Sequence, residues 1–497
     1  MIKKILITSI TLLTLNFLTF QNSFANTSLP AIKANGSQLI DVHGRQVILH
    51  GLAVMNKQYP YTAEANGFNE RSAAFLQQHG FTLVRLGIVW SAIEPAPGQY
   101  DDNYLASIQR TINMLGKYNI YTVVDFHQDA YSAKHDLGLG MPDWATFGHD
   151  DTPNSFNPGF PLNYEGGVQT GSYTVTTEVD DNFSKFWENV IIPEKNVGVQ
   201  EAYADMVYHT VAFFGNSANI LGYEIMNEPF IGNDWRACKV GGPDYETCEN
   251  FEAITLNLFY TKVSQAIHRA NPNTIAWFEP HVDFDFGDPT HIGTPNDVNL
   301  GFSFHDYADP NHLTVPINNA LGEQQHTNLP LLMTEFGAAD KPAIITTIAD
   351  LNDKSEISWT EWAFNNNPVY IFPTINGKPV QDPQDQGIIR DTALPYIGKN
   401  VVWDRLQALT RIYPKFIAGT KSSFTYNTQG AFDLSYIANE VQKDQLANIT
   451  VIIVPNYSSH KYNILTSNAT LLSVQKNQLS FVNTSTAQVV NIQIIPR

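Results

Sequence analysis

Ile220-Leu221-Gly222-Tyr223-Glu224-Ile225-Met226-Asn227-Glu228-Pro229 is a short, mostly apolar run that ends in two polar residues and a proline. A run of this length reads as a strand buried on both faces, as in a parallel sheet. The proline stops it, having no N–H to give to a ladder. Leu331-Leu332-Met333-Thr334-Glu335-Phe336-Gly337 repeats the pattern, again with a glutamate near its end. Working outward, similar runs lie at 47–54, 82–90, 121–126, 274–278, 300–305 and 358–363, making eight with 220–226 and 331–335.

Between these runs, residues 69–79, 102–117, 201–214 and 251–270 carry apolar side chains at helical spacing. Strands alternating with amphipathic helices form βα units, and eight of them close into a barrel. The expected fold is therefore α/β, a (β/α)8 TIM barrel over residues 26–414. Residues 130–200 are too long for an ordinary βα connection and are expected to form an insertion over the active face. Its Trp144, Phe147, Phe156, Phe160, Tyr164, Phe186 and Trp187 are more aromatic content than disordered chain carries. After Tyr413-Pro414 the pattern changes to short alternating runs at 447–454, 463–465 and 489–495, which predict a small antiparallel β-sandwich over 415–497.

Met1-Ile2-Lys3-Lys4, an apolar stretch to Phe20 and Ser23-Phe24-Ala25 read as a secretory signal peptide over 1–25. A secreted protein, extracellular or periplasmic, is expected, with no integral membrane segment. Losing that peptide removes two lysines and takes the net charge from −19 to about −21. So acidic a chain lacks the basic face that nucleic acid requires. The two cysteines, Cys238 and Cys248, lie close in sequence and in an exported chain suggest a disulfide.

Both strand-end glutamates fall where a parallel barrel carries its chemistry, the C-terminal ends of the fourth and seventh strands. A single strand-end glutamate is usually a cap or an arginine's partner. Two of them across one barrel mouth supply what glycosidic cleavage needs: an acid for the leaving oxygen and a second carboxylate at the anomeric carbon. Arg85, Asp125, His127, Asp129, His305, Tyr307 and Trp362 fall on strand ends too and describe a polar rim. His127 and Asp129 with His305 and Asp306 could be read as metal ligands, but no HExxH or Cys/His cluster accompanies them, and no metal or cofactor is expected.

Met226-Asn227-Glu228-Pro229, Thr334-Glu335-Phe336-Gly337, Arg85, His127 and His305-Asp306-Tyr307 together resemble glycoside hydrolase family 5. Within it, residues 124–129 and 410–419 look like the endoglycoceramidases. The resemblance implies Glu228 as general acid/base and Glu335 as nucleophile, with Arg85, His305 and Tyr307 supporting that nucleophile. It also implies that Asn227 meets a sugar 2-hydroxyl, that Trp362 offers a flat face to a sugar ring, and that Lys57, Asp125, His127, Asp129 and Trp187 bind further hydroxyls. The implied substrate is a glycosphingolipid in membranes or micelles, attacked by a monomer that splits oligosaccharide from ceramide. An apolar aglycone side is expected from loops 130–200 and 231–244. The alternatives are a family 5 glycosidase acting on glucosylceramide alone or on a β-glucan or mannan, and a non-catalytic glycan-binding protein.

Overall fold

The computed structural model describes residues 29–134, 138–147, 177–236, 245–338, 340–366, 371–373, 379–381, 386–440, 443–457 and 461–497. The signal peptide expected over 1–25, the aromatic residues Phe156, Phe160 and Tyr164, and Cys238 lie outside these residues.

All eight predicted strands are present and close into one barrel: β1 (His50–Val54), β2 (Leu83–Ile88), β3 (Tyr121–Phe126), β4 (Ile220–Glu224), β5 (Ile275–Phe278), β6 (Leu300–Asp306), β7 (Leu331–Phe336) and β8 (Ser358–Glu361). Each pairs in parallel with its neighbours in chain order, and β8 returns to β1. Helices face one side and the barrel interior the other, so β2, β3 and β7 are buried at every position. Trp277 on β5 shows how tightly the interior is filled. A Cβ on Gly222 of β4 would stand 2.6 Å from its indole Nε1, and one on Gly301 of β6 would stand 2.3 Å from its Cζ3. Two glycines thus make room for one indole.

The helix Glu70–Gln78 starts on a capping box, Asn69 with Ser72. The predicted helix over 251–270 is not uniform. Its first part, Phe251–Leu256, is a π-helical turn, followed by the α-helix Asn257–Ala270. In that turn Glu252 is buried and accepts from the Thr290 hydroxyl at 2.7 Å and the His281 N–H at 3.2 Å.

The C-terminal unit is two packed antiparallel sheets, one of seven strands and one of four. Three of the seven come from the other end of the chain: Ile32–Asn35, Gln38–Asp41 and Gln46–Val47 join the sheet through Tyr413–Ile417. The expected boundaries, 26–414 and 415–497, gave these three strands to the barrel and cut Tyr413–Ile417 in two. The apolar run 47–54 likewise divides, Val47 pairing with Phe416 in the sandwich while His50–Val54 enters the barrel. Phe424, Leu434, Tyr436, Ile452, Phe481 and Ile492 fill the space between the sheets. The outer face of the larger sheet, with Val47, Phe416 and Val451, packs on Leu49, Leu83, Tyr121, Leu221, Ile275 and Leu332 near the beginnings of the barrel strands. The sandwich therefore closes the barrel at its N-terminal end and leaves the C-terminal end for chemistry.

Candidate active site

Arg85 on β2 organises the barrel mouth from below. Its side chain is buried, and its fork reaches four groups on three other strands or their ends. Nη1 donates to Oε1 of Glu335, Nε to Oε2 of Glu224, and Nη2 to Oδ1 of Asn227 at 2.7 Å, with Asp125 Oδ2 at 3.2 Å. Burial alone would draw its pKa down, but Asp125, Glu224, Glu335 and Glu279 raise it above the ordinary arginine value. A planar guanidinium suits this work because its donors point in fixed, divergent directions.

Glu335 at the end of β7 is held on both oxygens. Oε1 takes Arg85, and Oε2 accepts the Tyr307 hydroxyl at 2.8 Å. Burial, then the nearby Glu335 and Glu228, push the Tyr307 phenol well above its ordinary range, so it stays a donor.

Glu228 follows β4 with φ of 44°, a conformation that a Cβ makes unfavourable. Three contacts impose it. Gln128 Nε2 donates to the carbonyls of Asn227 at 2.8 Å and Glu228 at 2.9 Å, and the Glu228 N–H donates to Oε2 of Glu279 at 2.9 Å. Asn227 Nδ2 returns a bond to the Gln128 carbonyl at 3.0 Å. Strain of this kind persists where the surroundings over-determine it, typically at a functional site. The Glu228 carboxyl lies 3.1 Å from Nδ1 of His305. One oxygen of Glu228, one nitrogen of His305 and one oxygen of Glu335 all lie within 4.8 Å of one another.

A second polar cluster stands beside the first. His127 Nδ1 is 2.7 Å from Asp125 Oδ2, and its Nε2 is 3.3 Å from Asp129 Oδ2. Lys57 reaches the same Asp129 oxygen at 2.8 Å. Burial opposes the His127 charge, but Asp125 and Asp129 prevail and push its pKa up to about 9. Asp129 is held well below the usual carboxylate range: burial works against this, and Lys57 and His127 overcome it.

Most predicted rim residues thus meet in one connected network: Arg85, Asp125, His127, Asp129, Lys57, Asn227, Glu228, His305, Tyr307 and Glu335. Trp362 joins it differently from the expectation. It is only 1 % exposed, stacked parallel to His127 at 5.5 Å, with the Lys57 ammonium 4.5 Å over its ring. Its flat face is occupied by protein groups. Trp187 joins an aromatic cluster, donating to the Phe230 carbonyl at 2.7 Å and packing on Phe251 and Phe259. These partners lie outside the cluster of Lys57, Asp125, His127 and Asp129. Cys248 is disulfide-bonded, as expected, and its Sγ lies 3.4 Å from His281 Nε2.

Four groups packed against this network escaped the sequence reading: Glu224, Gln128, Glu279 and Asp285. Glu279 had a signal, since Phe278-Glu279-Pro280 repeats the strand-end Glu-Pro of Glu228-Pro229. Burial, reinforced by the charge of Glu224, raises its carboxyl well above the usual range, whereas Glu224 is kept low by Arg85 despite burial. Glu224, Glu279 and His305 also approach closely enough to hold a metal ion, as do Glu228, His305 and Glu335. Within the protein alone, the carboxylates around His305 favour its cationic form. Burial opposes its charge, but Glu279, Glu335 and Asp285 raise its pKa well above the ordinary histidine value.

Residues 40–368 match the cellulase family, glycosyl hydrolase family 5, and residues 411–494 match the glycoside hydrolase family 5 C-terminal domain. The chain belongs to glycoside hydrolase family 5. Among relatives of this family 5 enzyme, endoglycoceramidase I of Rhodococcus hoagii (strain 103S) is 26 % identical over 365 residues, 68 % of either chain. Endoglycoceramidase of Cyanea nozakii is 26 % identical over 446 residues, 82 % of this chain and 81 % of its own. The fold is that of endo-glycoceramidase II from Rhodococcus sp., solved as a ganglioside GM3 complex: TM-score 0.69 at 19 % identity, over 93 % of this chain and all of that one. For a glycoside hydrolase, the arrangement supplies two carboxyl groups a few ångströms apart, one fixed by an arginine and a tyrosine, the other beside an imidazole. They can flank a glycosidic bond.

Proposed function

We propose that this chain is an exported, monomeric endo-β-glycosidase that hydrolyses the bond between the oligosaccharide and ceramide of glycosphingolipids, with retention of configuration. The observation that carries the chemistry is the approach of Glu228 and Glu335, oxygen to oxygen within 4.8 Å. Retaining enzymes hold their carboxyl groups about 5–5.5 Å apart, and inverting ones about 6.5–9.5 Å to leave room for water. Glu335 attacks the anomeric carbon while the C–O bond to the leaving group breaks and Glu228 gives that oxygen its proton. Water, losing a proton to Glu228, then releases the sugar from Glu335.

Two features favour a glycolipid over a polysaccharide. The relatives that span most of the chain bear the name endoglycoceramidase. The groups beside the pair also differ in polarity: Lys57, Asp125 and Asp129 form a charged cluster, while Phe230 and Ile231, which follow Glu228-Pro229 in the chain, belong to a buried apolar cluster with Trp187 and Phe251. A substrate with a polar and an apolar end suits that division. Among the described residues no helix is long and apolar enough to cross a membrane. The lipid is proposed to be presented in a membrane or micelle. Turnover of gangliosides, lactosylceramide, glucosylceramide and soluble β-glucans tests the reading. Lactosylceramide and gangliosides should be cleaved well, and the β-glucans poorly; the reverse order would refute it.

A further inference from the structure

Asp285 is a buried carboxylate that the mechanism above leaves without a task. It sits on the short 3-10 turn Val282–Phe286 after β5, and its own carbonyl accepts the Tyr307 N–H at 2.9 Å, which ties it to the end of β6. Its Oδ2 lies 3.5 Å from Nδ1 of His305, the same nitrogen that stands 3.1 Å from Glu228. One ring nitrogen therefore faces two carboxyl groups, Glu228 at hydrogen-bond distance and Asp285 just beyond it.

This arrangement answers a difficulty. A general acid must keep its proton at working pH, yet a cationic imidazole beside it stabilises its ionised form. We propose that Asp285 is a positioning residue for the acid: it takes the charge of His305 Nδ1, so that the proton remains on Glu228. The other charged groups around the pair fit this role. Glu224 and Glu279 face His305 from β4 and β5, Glu335 faces it from β7, and Asp306 is its neighbour on β6. Arg85 is engaged by Glu224, Glu335 and Asn227 and leaves the Nδ1 side of His305 to Glu228 and Asp285. Burial raises the Asp285 carboxyl to about 7, with His305 opposing, so its charge develops above that pH and holds the proton on Glu228 along the alkaline limb.

The inference rests on Glu228 being the general acid, and the test separates the two. Asp285→Asn and Asp285→Ser both remove the competing charge. On lactosylceramide the upper pKa of kcat/KM should fall by about one unit, a tenfold loss on the alkaline side. On 2,4-dinitrophenyl β-lactoside, whose leaving group needs no proton, kcat/KM should match the wild type, and Asp285→Glu should restore the upper pKa on lactosylceramide. An unmoved upper pKa, or equal losses on both substrates, would overturn the role of Asp285 while Glu228→Gln remained crippled on lactosylceramide. An active Glu228→Gln would instead overturn the reading of Glu228 itself.

Discussion

Tyr307 donates its hydroxyl to Oε2 of Glu335 at 2.8 Å, opposite the oxygen held by Arg85. The bond aims the carboxylate and is the weaker of its two anchors. Tyr307→Phe should therefore leave the fold intact and lower kcat by about 10- to 100-fold, the worth of a hydrogen bond to a charged group. Steady-state kinetics beside a thermal unfolding curve checks it. An unaltered kcat would remove Tyr307 from the mechanism.

Glu335→Gln removes the nucleophile and should cost several orders of magnitude on every substrate. Glu228→Gln should be as damaging on lactosylceramide but mild in kcat/KM on a dinitrophenyl glycoside, where no acid is needed. Dialysis against a chelator should leave the wild type fully active, since none of these steps uses a metal. Loss of activity that zinc or another divalent ion restored would revive the metal reading of Glu228, His305 and Glu335.

These two glutamates were legible because each closes an apolar run of strand length, and β-barrel geometry then dictates where the run ends. Gln128 was not, since its importance lies in reaching the carbonyls of Asn227 and Glu228 on a different strand's end. Asp285 was hidden for the same reason: nothing near it in sequence announces His305. The surroundings of Trp187 were not legible, because it ends the helix Thr177–Trp187 and its ring partners Phe251 and Phe259 come from more than 60 residues further on. The strands at 32–47 read as barrel because they pair with one another locally and reach the sandwich only through Gln46–Val47, whose partner strand lies more than 300 residues away, and a non-local ladder leaves no local trace.

Arg85 faces Asp125, Glu224, Glu279 and Glu335, with little water to share the load. Arg85→Met would leave several buried carboxylates uncompensated and should destabilise the protein by about 3–5 kcal/mol as well as abolish turnover. Urea denaturation measures this. A variant as stable as the wild type would show that these carboxylates are neutral without the arginine.

His127 gives the account a pH signature. Its pKa is about 9 in the folded protein against 6.5 in the unfolded chain, so its protonated form favours folding. That stability is complete below about pH 6.5 and is lost as pH rises through about 9, an effect on the order of 1–3 kcal/mol. His127→Asn should be less stable than the wild type at pH 6, and the gap should narrow by pH 9.5. A constant gap would mean that the Asp125–His127–Asp129 cluster carries no net charge coupling.

With retention, the first sugar product of a β-glycoside must itself be β. Proton NMR in the first seconds of hydrolysis should show the β anomer, with the α form growing only by mutarotation. An initial α product would require water to be accommodated between Glu228 and Glu335, which their approach within 4.8 Å does not favour.

The most direct measurement is mass spectrometry of the products from lactosylceramide. Cleavage between the sugar chain and the lipid predicts free lactose and ceramide in equal amounts from the earliest time points, with no glucosylceramide. Stepwise release of galactose, or an inert lactosylceramide beside rapid cleavage of a β-glucan, would contradict the proposed function.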